Sequence, residues 1–389
     1  MEGGEAAQIS LEAQPFDVHI HPELPVVAAG IITGQVEIFR YGDDTPPRQL
    51  LSYPAHTDTC RALRFMDGGR LLLSCSADRS ILCTDAITGQ KVARLENAHA
   101  AAINRMEALS ETTLATGDDE GAIKLWDTRA QDCTALFDVH EDFIADFEHV
   151  ADSQHLLAAS GDGTLSVCNL RKNKLEARSE NAEDELLSVV TTKQGRKIVC
   201  GSQSGVLSLY SWGAWNDCSD RFPGHPASVD ALVRLDEDTV VTGSSDGLIR
   251  IVSVLPNKML GIVGEHAEYP IERLAFSPDR RTLVSASHDH TLKLWDTAYL
   301  LEEDDEDEAK EGRQLESAEK PEAMEEDEAG GSGRPPVMVA DKGKAKVDDV
   351  ADTESDEDSD APKSRKSKRK GKRKKAGKKP KGSSFFDDL

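Results

Sequence analysis

The residues of this sequence best equipped to act on another molecule lie in one run of cations. Lys363, Arg365, Lys366, Lys368, Arg369, Lys370, Lys372, Arg373, Lys374 and Lys375 belong to a stretch, 363–381, with 13 Lys or Arg. Clustered cations with Pro and Gly read as a nuclear and nucleolar address that also attracts RNA phosphates. A solvated run that merely offsets neighbouring acids is the plainer alternative. Just upstream, Thr353 and Ser355 each have an acid three residues on, Asp356 and Asp358. That spacing suits an acidophilic kinase, and each phosphate would add about −1.5 to −2 charge. An acidic run that happens to contain hydroxyls looks the same. His288-Asp289-His290 has metal-ligand residue types, but alternating residues on a tight turn point apart, so a structural role is expected and no metal. There is no G-x-S-x-G, H-E-x-x-H or phosphate-cradling glycine loop. The expectation is a chain with no catalytic residues, no cofactor and no small-molecule substrate.

The elements that carry these residues divide sharply. Of 71 acids and 46 bases, 26 acids and 20 bases lie beyond Leu301, so residues 1–301 keep a net charge of −19. A body this acidic disfavours a nonspecific grip on nucleic acid. Residues 302–328 hold 15 acids and no aromatic or β-branched side chain, a composition that cannot bury enough to fold. Gly330–Pro336 reads as a hinge, Asp348–Asp360 as a second acidic block, and Phe385 and Phe386 are the tail's only aromatics. Seven scattered cysteines without a C-x-x-C pair suit a reducing compartment. The first residues lack the basic and apolar regions of a signal peptide. No stretch approaches the roughly 18 apolar residues of a membrane span. A soluble intracellular protein is expected.

Within the body the chain repeats. TGQVEIF from Thr33, DRSILCT from Asp78, EGAIKLW from Glu120, DGTLSVC from Asp162, SGVLSLY from Ser204, DGLIRIV from Asp246 and DHTLKLW from Asp289 are seven copies of one turn and strand. Their starts are separated by 45, 42, 42, 42, 42 and 43 residues. Apolar residues alternate with a period of two, and the turns are rich in Gly and Asp. A period of about 40–45 residues predicts a four-stranded propeller blade, whose faces only neighbouring blades can cover. Closure needs one more strand, because only TAYLL follows Asp296 before the acids begin. The segment QISLEA, 8–13, is expected to complete the seventh blade. The domain reading is therefore 1–13 as a possible closing strand, 14–300 as an all-β, seven-bladed propeller, and 301–389 as a disordered charged tail.

With Trp126-Asp127 and Trp295-Asp296 ending two strands, and His56, His99, His140, His225 and His266 recurring about one period apart, the body resembles the WD-repeat family. That resemblance implies a structural tetrad of His266, Ser285, Asp289 and Trp295, in which imidazole, hydroxyl and indole satisfy a buried carboxylate. Thr33 and Ser204 stand where the family has Asp, and Cys168, Tyr210 and Val252 where it has Trp. Those blades are expected to rely more on apolar packing. Trp126-Asp127-Thr128-Arg129 resembles the W-D-x-R box by which WD-repeat receptors dock on the damaged-DNA-binding adaptor of cullin-4 ubiquitin ligases, and Cys168-Asn169-Leu170-Arg171 keeps the arginine. An Arg past a strand end can project from the rim as an interface hot spot, or simply cap its own strand. The order of diverged repeats, acidic block, basic block and terminal double Phe is similar to the WD repeat-containing protein 55 family. That likeness implies a nuclear, nucleolus-enriched protein connected with ribosomal RNA processing and, in plants, with the cullin-4 adaptor. The functional expectation is a non-catalytic interaction scaffold, a ligase substrate receptor or a ribosome-assembly factor whose partners include pre-ribosomal particles or RNA. A histone or RNA chaperone working through the tail is the alternative.

Overall fold

The structure, a computed structural model, describes residues 7–42, 46–129 and 133–301. The charged tail, with its cation block, Thr353 and Ser355, lies outside the described residues. Twenty-eight strands form seven antiparallel sheets of four. Six blades are continuous in sequence, over 15–54, 60–95, 103–138, 144–178, 186–223 and 229–265. In the seventh, the strands Ile271–Phe276, Thr282–Ser287 and Thr291–Asp296 are completed by Ala7–Ser10, which pairs Ile9 with Leu292. The closing strand thus starts one residue before the predicted segment and stops at Ser10, with the Leu11 N–H donating to the His290 carbonyl beyond it. Residues 298–301 form a helical turn. The first strand of each blade packs against the first strand of the next, and Ile271–Phe276 packs against Pro15–Ile20, closing the ring. No helix among the described residues is long and apolar enough to cross a membrane.

The core is seven wedges. Each apolar cluster takes residues from two adjacent blades, as where Ile103, Met106 and Trp126 of blade 3 meet Leu73, Ile81 and Cys83 of blade 2. The wedge between blades 7 and 1 contains Ile9 and Leu11 beside Val18, Val27, Val284 and Leu292. The N-terminal strand therefore staples the ring through side chains as well as hydrogen bonds. Five of the seven cysteines are buried in these wedges. Burial pushes the thiols of Cys75, Cys83 and Cys168 up to about 12, which leaves them inert.

The repeat's turn grammar has a backbone cause. The second residue of every repeated turn has positive φ: Gly34, Gly121, Gly163, Gly205 and Gly247, with Arg79 and His290 in the other two. At Gly34 a Cβ would come 2.5 Å from the His56 carbonyl oxygen, so a side chain there needs the turn to move. The first strands face the central channel with one edge unpaired. Side chains of adjacent blades satisfy that edge: Asp17 accepts from the Leu63 N–H at 2.9 Å, Asp146 from Val189 at 3.2 Å and Glu148 from Thr191 at 3.0 Å, while Arg105 donates to the Ala145 carbonyl at 2.8 Å. Arg64 links Asp17 at 2.8 Å to Glu107 at 3.1 Å. Burial pushes Asp146 up to about 6, with Arg105 only partly offsetting it, and Glu148 up to about 7, against the hydrogen bonds from Thr191.

The polar network between strands is more widespread than the Trp-Asp pairs suggest. In blade 7, His266 Nδ1 lies 2.8 Å from Asp289, His266 Nε2 2.7 Å from Ser285 Oγ, and the Trp295 indole donates to Ser285 Oγ at 2.9 Å. Burial holds His266 below its ordinary value, so the ring is neutral: Nδ1 donates to the carboxylate and Nε2 accepts from the hydroxyl. Blade 3 repeats the arrangement with His99, Thr116 and Trp126, but its carboxylate is Asp118, at 2.8 Å, two residues ahead of the repeat's Glu120. Blade 4 lacks the Trp yet keeps His140 on Asp162 at 3.1 Å and on Ser166 at 2.8 Å. Blade 2 keeps His56, Asp78 and Ser74 in the same way. The expectation that such blades rely more on apolar packing is therefore corrected for blade 4, where Cys168 replaces only the indole. In blade 6 Arg250 takes Asp246, at 3.0 and 2.6 Å, and His225 keeps only Thr242 at 2.8 Å.

Two measurements test these assignments. Ser285→Ala orphans two buried partners and Ser166→Ala one. By the usual penalty of about 1–3 kcal/mol per orphaned group, Ser285→Ala should lower the unfolding midpoint distinctly more. Equal losses in thermal or urea unfolding would contradict the shared-hydroxyl wiring. For Glu148, a folded value near 7 against 4.5 unfolded means the folded state binds more protons across that window, so its contribution to stability falls as pH rises through it. Glu148→Gln lacks this slope. Its midpoint relative to wild type should rise by a few degrees between pH 5 and pH 8, and a constant difference would contradict a buried, neutralised carboxyl.

Candidate interaction surface

In each blade the turns after the first and third strands share one end of the propeller, the lower face; the inner strands begin at the other end, the upper face. Trp126-Asp127-Thr128-Arg129 closes the third strand of blade 3 at the lower face. Trp126 is buried and bonded within its blade, so it anchors the turn instead of contacting a partner. Thr128 N–H donates to the Thr112 carbonyl at 2.8 Å, fixing the exit of the strand. Asp127 then folds the turn: its Oδ1 accepts the Arg129 N–H at 2.8 Å and the guanidinium Nε at 3.2 Å. The Arg129 side chain is 73% exposed. Such a pair in water is weak, so a partner's carboxylate or carbonyls can take over the fork. Blade 7 makes the same turn, Asp296 accepting the Ala298 N–H at 2.9 Å, with no cation to present.

Arg171 is exposed at the equivalent position of blade 4. Its turn differs from the one in blade 3, because Asn169 Oδ1 accepts the Lys172 N–H at 3.1 Å instead of the Arg171 N–H. Asn169 is itself held by His155 at 3.1 Å and Glu176 at 3.0 Å. His155 packs edge-on against Trp212, whose ring lies 5.0 Å from Trp215. These two half-buried tryptophans sit on the long third turn of blade 5, 212–219, which the sequence reading passed over. The available signal was two Trp in a segment without repeat grammar. The arginine of blade 4 and the tryptophans of blade 5 are thus one connected structure on the lower face.

The upper face carries a second feature invisible in sequence. Every inner strand opens with a bulge that skips one residue: Phe16, Arg61, Asn104, Ala145, Leu187, Asp230 and Glu272. All seven line a cavity of about 520 Å³ at the channel mouth. Arg61 closes on Asp119 at 2.7 and 2.8 Å, and Glu272 holds His288 Nε2 at 2.9 Å. Burial, with the nearby Glu272 charge, pushes Asp230 up to about 6.

The Ser285–His266–Asp289 chain has the connectivity of a hydrolase triad, but its position bars that chemistry. Ser285 and His266 are fully buried, and the hydroxyl oxygen already accepts the Trp295 indole. In His288-Asp289-His290 the three side chains separate: His288 turns to Glu272, Asp289 to His266 and Thr291, and His290 sits in the left-handed region. Among the described residues no three His, Cys, Asp or Glu converge as metal ligands.

Comparison with known proteins gives a consistent answer. The family model WDR55 matches residues 6–300, from the closing strand to the last helical turn. WD repeat-containing protein 55 of Arabidopsis thaliana is 49% identical over 296 residues, covering 76% of this chain and 84% of that protein. WD repeat-containing protein JIP5 of Cryptococcus neoformans var. neoformans serotype D is 42% identical over 308 residues, 75% of this chain and 82% of its own. WD repeat-containing protein 55 of Homo sapiens is 39% identical over 293 residues, 75% of this chain and 76% of its own. With a closed seven-bladed ring and a family match across all of it, this chain belongs to the WD repeat-containing protein 55 family.

Proposed function

We propose that this chain is a non-catalytic interaction scaffold that docks, through the lower rim of blades 3 and 4, on the damaged-DNA-binding adaptor of cullin-4 RING ubiquitin ligases and serves there as a substrate receptor. The observation that carries this reading is Arg129, 73% exposed beside an aspartate that shapes its turn, with a second exposed arginine, Arg171, on the next blade. Against a body of net charge −19, rim cations are distinctive points for an acidic or carbonyl-rich partner. Trp126 and Asp127 build the turn, and Arg129 and Arg171 make the contact. The cation block 363–381 favours a second reading, in which the scaffold serves ribosomal RNA processing and the block brings it to the nucleolus and to RNA phosphates. In either case the protein works in the nucleus.

The test is a pull-down of the purified chain and of Arg129→Ala/Arg171→Ala with the purified adaptor at physiological salt. Wild type should bind, and each arginine should account for about tenfold in affinity, as interface hot spots do. Both residues are exposed, so the double variant should unfold at the wild-type temperature. A wild-type chain that fails to bind removes the receptor reading and leaves the ribosomal one. Binding untouched by the substitutions moves the docking site elsewhere.

A further inference from the structure

A cavity of about 640 Å³ opens on the lower face where blades 4, 5 and 6 meet. Trp212 forms part of its wall, with Val150 and Ala151 as apolar neighbours, Arg196 and Arg234 as cations and Glu148, Asp152 and Glu237 as acids. Of the four tryptophans, Trp126 and Trp295 are consumed inside blades, whereas Trp212 stays half-exposed. Its ring is held edge-on by His155 at 5.4 Å and Trp215 at 5.0 Å, so it is a rigid aromatic wall. Arg196 is exposed, and its Nε donates to the Lys193 carbonyl at 3.1 Å, which leaves the rest of the fork available. Arg234 meets Glu237 only at 3.4 Å. Among its acids, Glu148 has a carboxyl pushed up to about 7 by burial, which lessens its repulsion of an incoming anion.

We propose that the segment Ser383-Ser384-Phe385-Phe386-Asp387-Asp388 of this same chain docks in the cavity, a phenyl ring against Trp212 and the aspartates on Arg196 and Arg234. Three observations select this occupant. Phe385 and Phe386 are the only aromatic residues beyond Leu301, and two acids follow them directly, matching an aromatic wall flanked by two cations. The described chain ends on the same face: Leu300 and Leu301 join a cluster with Val233, the neighbour of Arg234, and with Phe276. Reach is ample, since the 84-residue step from Leu301 to Phe385 has a flexible-chain span of about 50 Å. Tethering gives the segment an effective concentration on the order of millimolar, so a free-peptide affinity of about 10–100 μM already fills the cavity in cis. The proposal is independent of adaptor binding and holds or fails without it.

A fluorescein-labelled peptide of residues 382–389 distinguishes the outcomes, titrated into the full chain and into Phe385→Ala/Phe386→Ala. The wild-type cavity is filled by its own segment, so the double variant should bind the peptide at least tenfold more tightly. Adding Trp212→Ala to the double variant should abolish that gain. Adding Arg196→Glu, an exposed change that leaves the fold intact, should weaken the wild-type peptide tenfold or more. A peptide carrying Asp387→Arg/Asp388→Arg should restore binding to the Arg196→Glu chain. Binding that is equal in wild type and double variant, absent from both, or indifferent to Arg196→Glu would overturn the proposal.

Discussion

Everything in this molecule depends on the closing of a ring whose blades cannot bury their own faces. Each four-stranded sheet is apolar on both sides, and each apolar cluster belongs to two blades, so no blade can be removed without exposing two wedges. Closure rests on one short pairing, Ala7–Ser10 against Thr291–Leu294, which joins residues separated by almost the whole folded chain. Ile9 does the packing part of that work, 4% exposed between Leu292 of its own blade and Val18 of the next. Bringing these ends together closes a loop of almost the whole ring, whose entropic cost grows only slowly with its length. The edge left facing the channel is the other consequence of radial packing, and Asp17, Arg105, Asp146 and Glu148 satisfy it from one blade to another.

The repeat was legible because it is imposed by the backbone. A positive-φ turn followed by an alternating strand recurs at one period in every blade, so Gly and Asp mark it even where the tryptophan is lost. The side-chain wiring was legible only where a residue has one possible partner. His266, Ser285, Asp289 and Trp295 stand in the same relation in sequence and in space, but Asp118 could be recognised only once its strand was seen to end two residues before Glu120. Blade 6 shows why composition misleads: Arg250 competes for Asp246 and wins with two charge-assisted bonds, leaving His225 short of a carboxylate. The bulges were hidden for a different reason. A bulge is a property of register, so Phe16, Arg61 and Glu272 share no residue type that could have announced their common position.

The same distinction runs through the candidate surface. Arg129 was visible because its turn is local: Asp127 two residues earlier decides it. Arg171 matched in spacing, yet its turn is set by Asn169 held from His155, 14 residues earlier on the neighbouring strand, and the cap slips by one. Trp212 and Trp215 fall where the repeat is interrupted, and periodic reading discards what it cannot align. Local turns are thus readable from sequence, whereas positions defined by a neighbouring strand need the fold.

The two faces that result differ in kind. Around the upper mouth, bulge residues from all seven blades converge, with Arg61 held on Asp119 and His288 on Glu272. On the lower face, exposed arginines and half-buried tryptophans lie on turns, with a chain terminus of the ring beside them. Between the faces runs a channel wall cross-linked by buried ion pairs, and seven close-packed wedges leave it little room to deform. The fold therefore sets where the turns of both faces present their side chains.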